Sequence, residues 1–192
     1  SIRTGIMLSG VDAPKKVILV TSSIAAEGKT TTATNLAVSL AHTGEKVLLV
    51  DADLRRQTVH KAFGLERSEG LADIMLGTAD IAKVTKTIPE EPNLHIITGG
   101  THTPNPAELL SSSKLKNFIA DARGKYDRII LDSPPLLSVS DPLILCSIVD
   151  GVILVSWGGV TSKEVVIRGL RLLDGAKAKV MGVVLNNMSM KK

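Results

Sequence analysis

A β-type apolar run, Val17-Ile18-Leu19-Val20, passes through Ser22-Ser23-Ile24-Ala25-Ala26-Glu27 into Gly28-Lys29-Thr30-Thr31, and a helical pattern continues from Thr31 to Ala41. This order obliges a strand to deliver the chain to a helix N-terminus through a loop closing on Gly-Lys-Thr, which are the parts of a phosphate-binding loop. Each part has a chemical reason. Unpaired backbone N–H groups at a helix start attract an anion. Gly28 has no Cβ, so backbone and phosphate can approach closely. Lys29 brings a point charge to β- and γ-phosphates, and the Thr30 hydroxyl can ligate Mg²⁺. Ala26, Glu27, Gly28, Lys29, Thr30 and Thr31 are therefore the expected nucleotide cradle. The pattern G-x-x-x-x-G-K-[ST] fails only at its first position, where Ser23 replaces glycine. Gly-Lys-Thr alone also fits an ordinary strand–helix turn; the strand before it and the helix after it favour the phosphate loop.

Apolar runs of this kind recur. Strands are expected at Lys16–Thr21, Lys46–Val50, Leu94–Thr98, Arg128–Leu131, Val152–Ser156 and Val180–Leu185. Most are dense in Val, Ile and Leu without alternation, as in strands buried on both faces of a parallel sheet. Helical patterns fall between them, at Thr30–His42, Thr58–Phe63, Leu71–Leu76, Ser113–Ala122, Pro142–Ile148 and Ser162–Asp174, with Asp80–Thr87 as a further short one. The alternation implies an α/β fold: a doubly wound, mainly parallel sheet flanked by helices, with ligands beyond the carboxyl ends of the strands. The stretch Thr98–Pro106 reads as a long loop. With aromatic residues at only 2%, aliphatic side chains must fill the core. The 192 residues suit one domain, and no apolar run approaches the length of about 20 that a membrane span needs. The single Cys146 excludes an internal disulfide, fits a reducing compartment and reads as a buried structural thiol. A net charge of +4 does not establish nucleic-acid binding, and no nucleic-acid partner is expected.

Acids stand where such a sheet would bind its ligand. One strand ends in Val50-Asp51-Ala52-Asp53-Leu54-Arg55-Arg56, another in Ile130-Leu131-Asp132-Ser133-Pro134-Pro135. A lone Asp here would be a helix cap or an ion-pair partner. Three at two strand ends, both after a phosphate loop, point to Mg²⁺ and a triphosphate. Asp132 fits the Walker B role, and Asp51 or Asp53 could orient or deprotonate an attacking hydroxyl. Arg55 and Arg56 either face solvent or touch a neighbouring subunit or an acidic peptide. Asn186 follows a buried strand and could read a base edge or simply make a turn. His42, His60, His95 and His102 have no metal-ligand spacing.

Ser23 to Thr30, Leu48 to Arg55 and Ile129 to Pro135 together resemble the Walker A, Walker A′ and Walker B motifs of the bacterial tyrosine kinases, or BY-kinases. These kinases sit within the P-loop ATPases that include the Min and Par partitioning proteins. The similarity runs over nearly the whole chain, and Asp-x-Asp-x-Arg-Arg with the other two motifs is its most specific element. The chain departs from the family at Ala25-Ala26, where Pro-Gly is common, and at Gln57, where proline is common. Ile24 stands where partitioning ATPases carry an additional lysine.

The resemblance implies an ATP- and Mg²⁺-dependent protein-tyrosine kinase that autophosphorylates a C-terminal tyrosine cluster in trans and regulates polysaccharide synthesis and export. Lys29, Asp51 and Asp53 are its expected catalytic residues, with Asp51 preferred as proton acceptor and Asp53 able to exchange roles with it. Thr30, Asp53 and Asp132 are the expected Mg²⁺ ligands, and Asn186 completes the ATP/ADP site. Expected partners are other copies in a ring, the tyrosine-rich tail of a neighbouring subunit, and a membrane activator or anchor domain, fused or separate. The expected location is the cytoplasmic face of the bacterial inner membrane. Residues 1–192 read as one kinase domain cut from a longer polypeptide, with 1–9 the remnant of an oligomerisation helix whose last arginine is Arg3. The one tyrosine, Tyr126, reads as a packing residue rather than an acceptor. A Min/Par-type ATPase switch and a nucleotide-binding scaffold for polysaccharide chain length are the alternatives.

Overall fold

The computed structural model describes Gly5 and residues 15–187. The expected oligomerisation remnant, with Arg3, lies outside the described residues apart from Gly5. Strands β1 (Val17–Ser22), β2 (Val47–Asp51), β3 (Lys86–Ile88), β4 (Glu91–Ile97), β5 (Arg128–Asp132), β6 (Gly151–Trp157) and β7 (Val180–Asn186) form one sheet in the order β3-β4-β2-β5-β1-β6-β7. All pairings are parallel except β3 with β4. Helices α1 (Lys29–Ala41), α2 (Val59–Ala62), α3 (Leu71–Leu76), α4 (Ile81–Val84), α5 (Pro106–Ser111), α6 (Ser113–Arg123), α7 (Asp141–Leu145) and α8 (Lys163–Gly175) connect the strands.

β1, β2, β5 and β6 are buried almost throughout, as their composition requires, whereas β7, expected as a buried strand, lies at the sheet edge with Val180, Val183 and Leu185 exposed. Val17, Leu19, Leu48, Val50, Ile129 and Leu131 pack on one side with Leu115, Phe118 and Ile119 of α6. Ile18, Val20, Val47, Leu49 and Ile130 pack on the other with Ala33, Leu36, Ala37 and Leu40 of α1. Each such Leu, Ile or Val contributes roughly 1.5–3 kcal/mol by leaving water. Among the described residues no helix is long and apolar enough to cross a membrane.

Two elements differ from expectation. The helix expected over Asp80–Thr87 is one turn, and its end becomes the strand β3, too short to show a period and held only by antiparallel pairing with β4. The expected loop gives way at Pro106 to α5, with proline at the first helical position, where its missing N–H has no partner to lose.

The register aligns the chemistry. Asp51 and Asp132 are paired neighbours on β2 and β5, and Val20 of β1 pairs with Asp132. The carboxyl ends of three adjacent strands therefore finish level with the loop that opens α1.

Candidate active site

The loop between β1 and α1 is built for an anion. Ala26 takes φ 66° and Gly28 φ 86°, so two residues of the turn lie in the left-handed region. Such turns point successive N–H groups into a concavity. A glycine accepts this geometry freely; at Ala26 the Cβ is strained by about 1–2 kcal/mol. Ala26→Gly is expected to raise stability by about 0.5–1 kcal/mol, the relief less the added entropy of the unfolded chain. A higher denaturant midpoint without nucleotide would show it; a lower one would mean that the loop rests in another conformation.

A cavity of about 500 Å³ opens over this loop. Ala25, Ala26, Gly28, Lys29, Thr30 and Thr31 form one wall, Asp53, Arg55, Arg56 and Thr58 the second, and Pro134, Pro135, Ser138 and Val139 the third. At its floor Lys29 Nζ lies 2.9 Å from Asp53 Oδ2 and 3.6 Å from Asp132 Oδ1. Burial alone would lower the pKa of Lys29; the attraction of Asp132 and Asp53 outweighs it and raises it. Thr30 Oγ1 donates to Asp132 Oδ2 at 2.6 Å and lies 3.0 Å from Thr58 Oγ1. Asp132 is fully buried, and its Oδ1 has no hydrogen-bond partner. Desolvation pushes its carboxyl up to about 6.

A buried carboxylate oxygen lacking a donor, beside a hydroxyl, is a fit place for a hard cation with oxygen ligands. No three His, Cys, Asp or Glu side chains converge as a ready cage among the described residues. That suits Mg²⁺, which keeps waters and takes phosphate oxygens, rather than an ion needing a full protein shell.

Asp51 and Asp53 part company. Asp53 lines the cavity. Asp51 is fully buried behind it, with Oδ2 accepting from the Thr58 and Val59 N–H groups and Oδ1 from that of Asp53. It caps the first turn of α2 and shapes the loop that carries Asp53. Desolvation and the neighbouring Asp132 push its carboxyl up to about 7. The preference for Asp51 as proton acceptor therefore meets an obstacle: all its contacts are backbone donors, and it does not line the cavity.

The arginine pair also divides. Arg55 makes a two-pronged ion pair with the fully buried Asp141 at the start of α7, at 2.8 and 3.0 Å. Arg56 is exposed at the cavity rim. No sequence signal could link Arg55 to an acid 86 residues away. Asn186 does not line the cavity; its side chain bonds to the backbone of Glu27. Glu27 turns its carboxylate inward and is 1% exposed. Tyr126 stands before β5, at the opposite end of the sheet from Asp132, and its hydroxyl is 2.8 Å from His95 Nδ1. Cys146 is part-buried rather than fully buried, and burial pushes its thiol up to about 11.

Comparison with known proteins supplies relatives. Residues 15–173 match the family model described as AAA domain. Tyrosine-protein kinase YwqD of Bacillus subtilis (strain 168) is 42% identical over 192 residues, 100% of this chain and 81% of that protein. The kinase domain of Escherichia coli tyrosine kinase ETK superposes with a TM-score of 0.91 at 28% identity, covering 100% of this chain and 76% of that one. The septum site-determining protein MinD complexed with Mg-ADP, from Pyrococcus horikoshii, superposes with a TM-score of 0.74 at 26% identity, covering 92% and 72%.

Proposed function

Because this chain belongs to the bacterial tyrosine-protein kinases, we propose that its cavity takes ATP and that Lys29 and Asp53 at the floor, with Asp132 buried beneath Lys29 and Thr30, carry the transfer to a tyrosine. The observation behind this is one lysine bridging the acids of two strand ends beneath an open cavity. Thr30, Asp132 and Asp53 are the oxygens that would hold Mg²⁺, whose chemistry there is to neutralise charge on the β- and γ-phosphates.

The chain's own groups do the rest. Lys29 leaves its carboxylates for the phosphoryl oxygens and stabilises their charge in the transition state. The loop N–H groups from Ala26 to Thr31 fix the phosphates. Asp53, on the cavity wall, orients the tyrosine hydroxyl and accepts its proton. Asp51 holds the turn that presents Asp53, taking the positioning part of the exchange that the sequence left open. Tyr126 is not the acceptor, since burial pushes its hydroxyl above its ordinary value and it sits at the wrong end of the sheet.

The acceptor is a tyrosine-rich tail on a neighbouring copy, within a ring at the cytoplasmic face of the bacterial inner membrane. An activator or anchor domain, fused or separate, supports it, and polysaccharide synthesis and export are what it controls. The partitioning-type switch is the weaker reading, because Ile24 puts an apolar, partly exposed side chain where partitioning ATPases carry an additional lysine.

Labelled ATP, Mg²⁺ and a separate tyrosine-rich peptide test the proposal. Phosphotyrosine on the peptide is the expected product. Free phosphate without phosphotyrosine, with the activator segment added, would instead make the chain an ATPase switch.

A further inference from the structure

The phosphate loop is gripped from behind, at the Glu27–Gly28 peptide. Glu27 Oε2 accepts the Ile24 N–H at 2.9 Å, closing the loop on itself. Its Oε1 accepts the Trp157 N–H at 3.3 Å and the Thr161 hydroxyl at 2.5 Å, tying the loop to the end of β6 and the turn after it. Glu27 has no ion-pair partner among the described residues, so these neutral donors are what satisfy a buried carboxylate.

The backbone is held as well. Asn186 Nδ2 donates to the Glu27 carbonyl at 3.2 Å, while Asn186 Oδ1 accepts the Asn187 N–H at 3.0 Å. The second bond fixes which end of the amide faces the loop. A Cβ on Gly28 would come within 1.9 Å of Asn186 Nδ2, so only glycine lets this contact form. A trans peptide is planar, with C=O and N–H pointing in opposite directions. Drawing the Glu27 carbonyl toward β7 therefore aims the Gly28 N–H away from β7. Gly28 lines the cavity.

We propose that Asn186 and Thr161 are positioning residues of the phosphoryl transfer: through Glu27 they lock the peptide that aims the Gly28 N–H at the phosphate. This rests on the nucleotide-site reading, yet assigns Asn186 to the phosphate cradle instead of the base. Neither residue touches the reacting atoms.

The probes are ADP and inorganic tripolyphosphate, each with Mg²⁺, titrated against the chain and its Asn186→Ala, Thr161→Val and Thr161→Ser variants. Losing one of these bonds should weaken both probes about tenfold in Asn186→Ala and Thr161→Val. Thr161→Ser, which keeps the hydroxyl, should bind like the parent. Without any ligand, the Ile24 amide should exchange its hydrogen faster in Thr161→Val than in Thr161→Ser. If Asn186→Ala weakens ADP but not tripolyphosphate, the residue serves the base and the proposal falls. If Thr161→Ser is as weak as Thr161→Val, packing rather than the hydroxyl matters and it falls too. None of these readouts needs phosphoryl transfer. A parent chain that binds both probes but makes no phosphotyrosine counts against the kinase reading alone.

Discussion

Lys29→Met lowers peptide phosphorylation by about 10²–10³-fold or more, because it removes the preorganised charge on which the transferred phosphoryl group relies. Rapid-quench transfer with labelled ATP measures it. The same change acts on the fold. Lys29 sits among Asp53, Asp132 and Asp51, and removing one partner of a buried ion pair typically costs about 3–5 kcal/mol. That penalty depends on pH. The Asp51 and Asp132 carboxyls stand at about 7 and about 6 in the fold, against an ordinary 3.8. Both therefore bind protons more readily folded than unfolded, so their effect is least harmful at low pH. Stability falls as pH rises from the ordinary value through about 7. Without the ammonium both values climb further. The melting deficit of Lys29→Met should be large near about pH 8 and shrink near about pH 5. A deficit that grows on acidification would mean that Lys29 does not neutralise these acids.

Asp53→Asn lowers kcat by about 10²–10⁴-fold, the range for losing a positioned proton acceptor. Single-turnover transfer to the peptide at saturating ATP measures it. Asp51→Asn gives the contrast. Asp51 bonds only backbone N–H groups behind the cavity, so the variant should lose less activity. If Asp51→Asn costs more in kcat than Asp53→Asn, the proton goes to Asp51 and the turn around Thr58 must open during turnover.

The central strands were legible because they are runs of Val, Ile and Leu that suit burial on both faces, and β7 carries the same run at the sheet edge, where its burial was misread. β3 was not, since three residues carry no period and antiparallel pairing at the edge alone holds them. The same holds for α5, whose start at Pro106 lay hidden inside a loop-like stretch. The acids were legible through their positions at strand ends. Their division of labour was not, because Asp53 lies two residues past β2, where strand alternation no longer says which way a side chain points. The inward turn of Glu27 was equally hidden, its partners lying 130 and 134 residues away.

Tyr126 carries a kinetic consequence. It is the one tyrosine in the sequence, and its hydroxyl is engaged with His95 at the amino edge of the sheet. Within these 192 residues, then, no tyrosine at the cavity competes with transfer to an added acceptor. With ATP saturating, the initial velocity of these residues is then first order in enzyme and saturates in peptide. The molecularity of the reaction, which self-modifying enzymes blur, can here be read from a single concentration series.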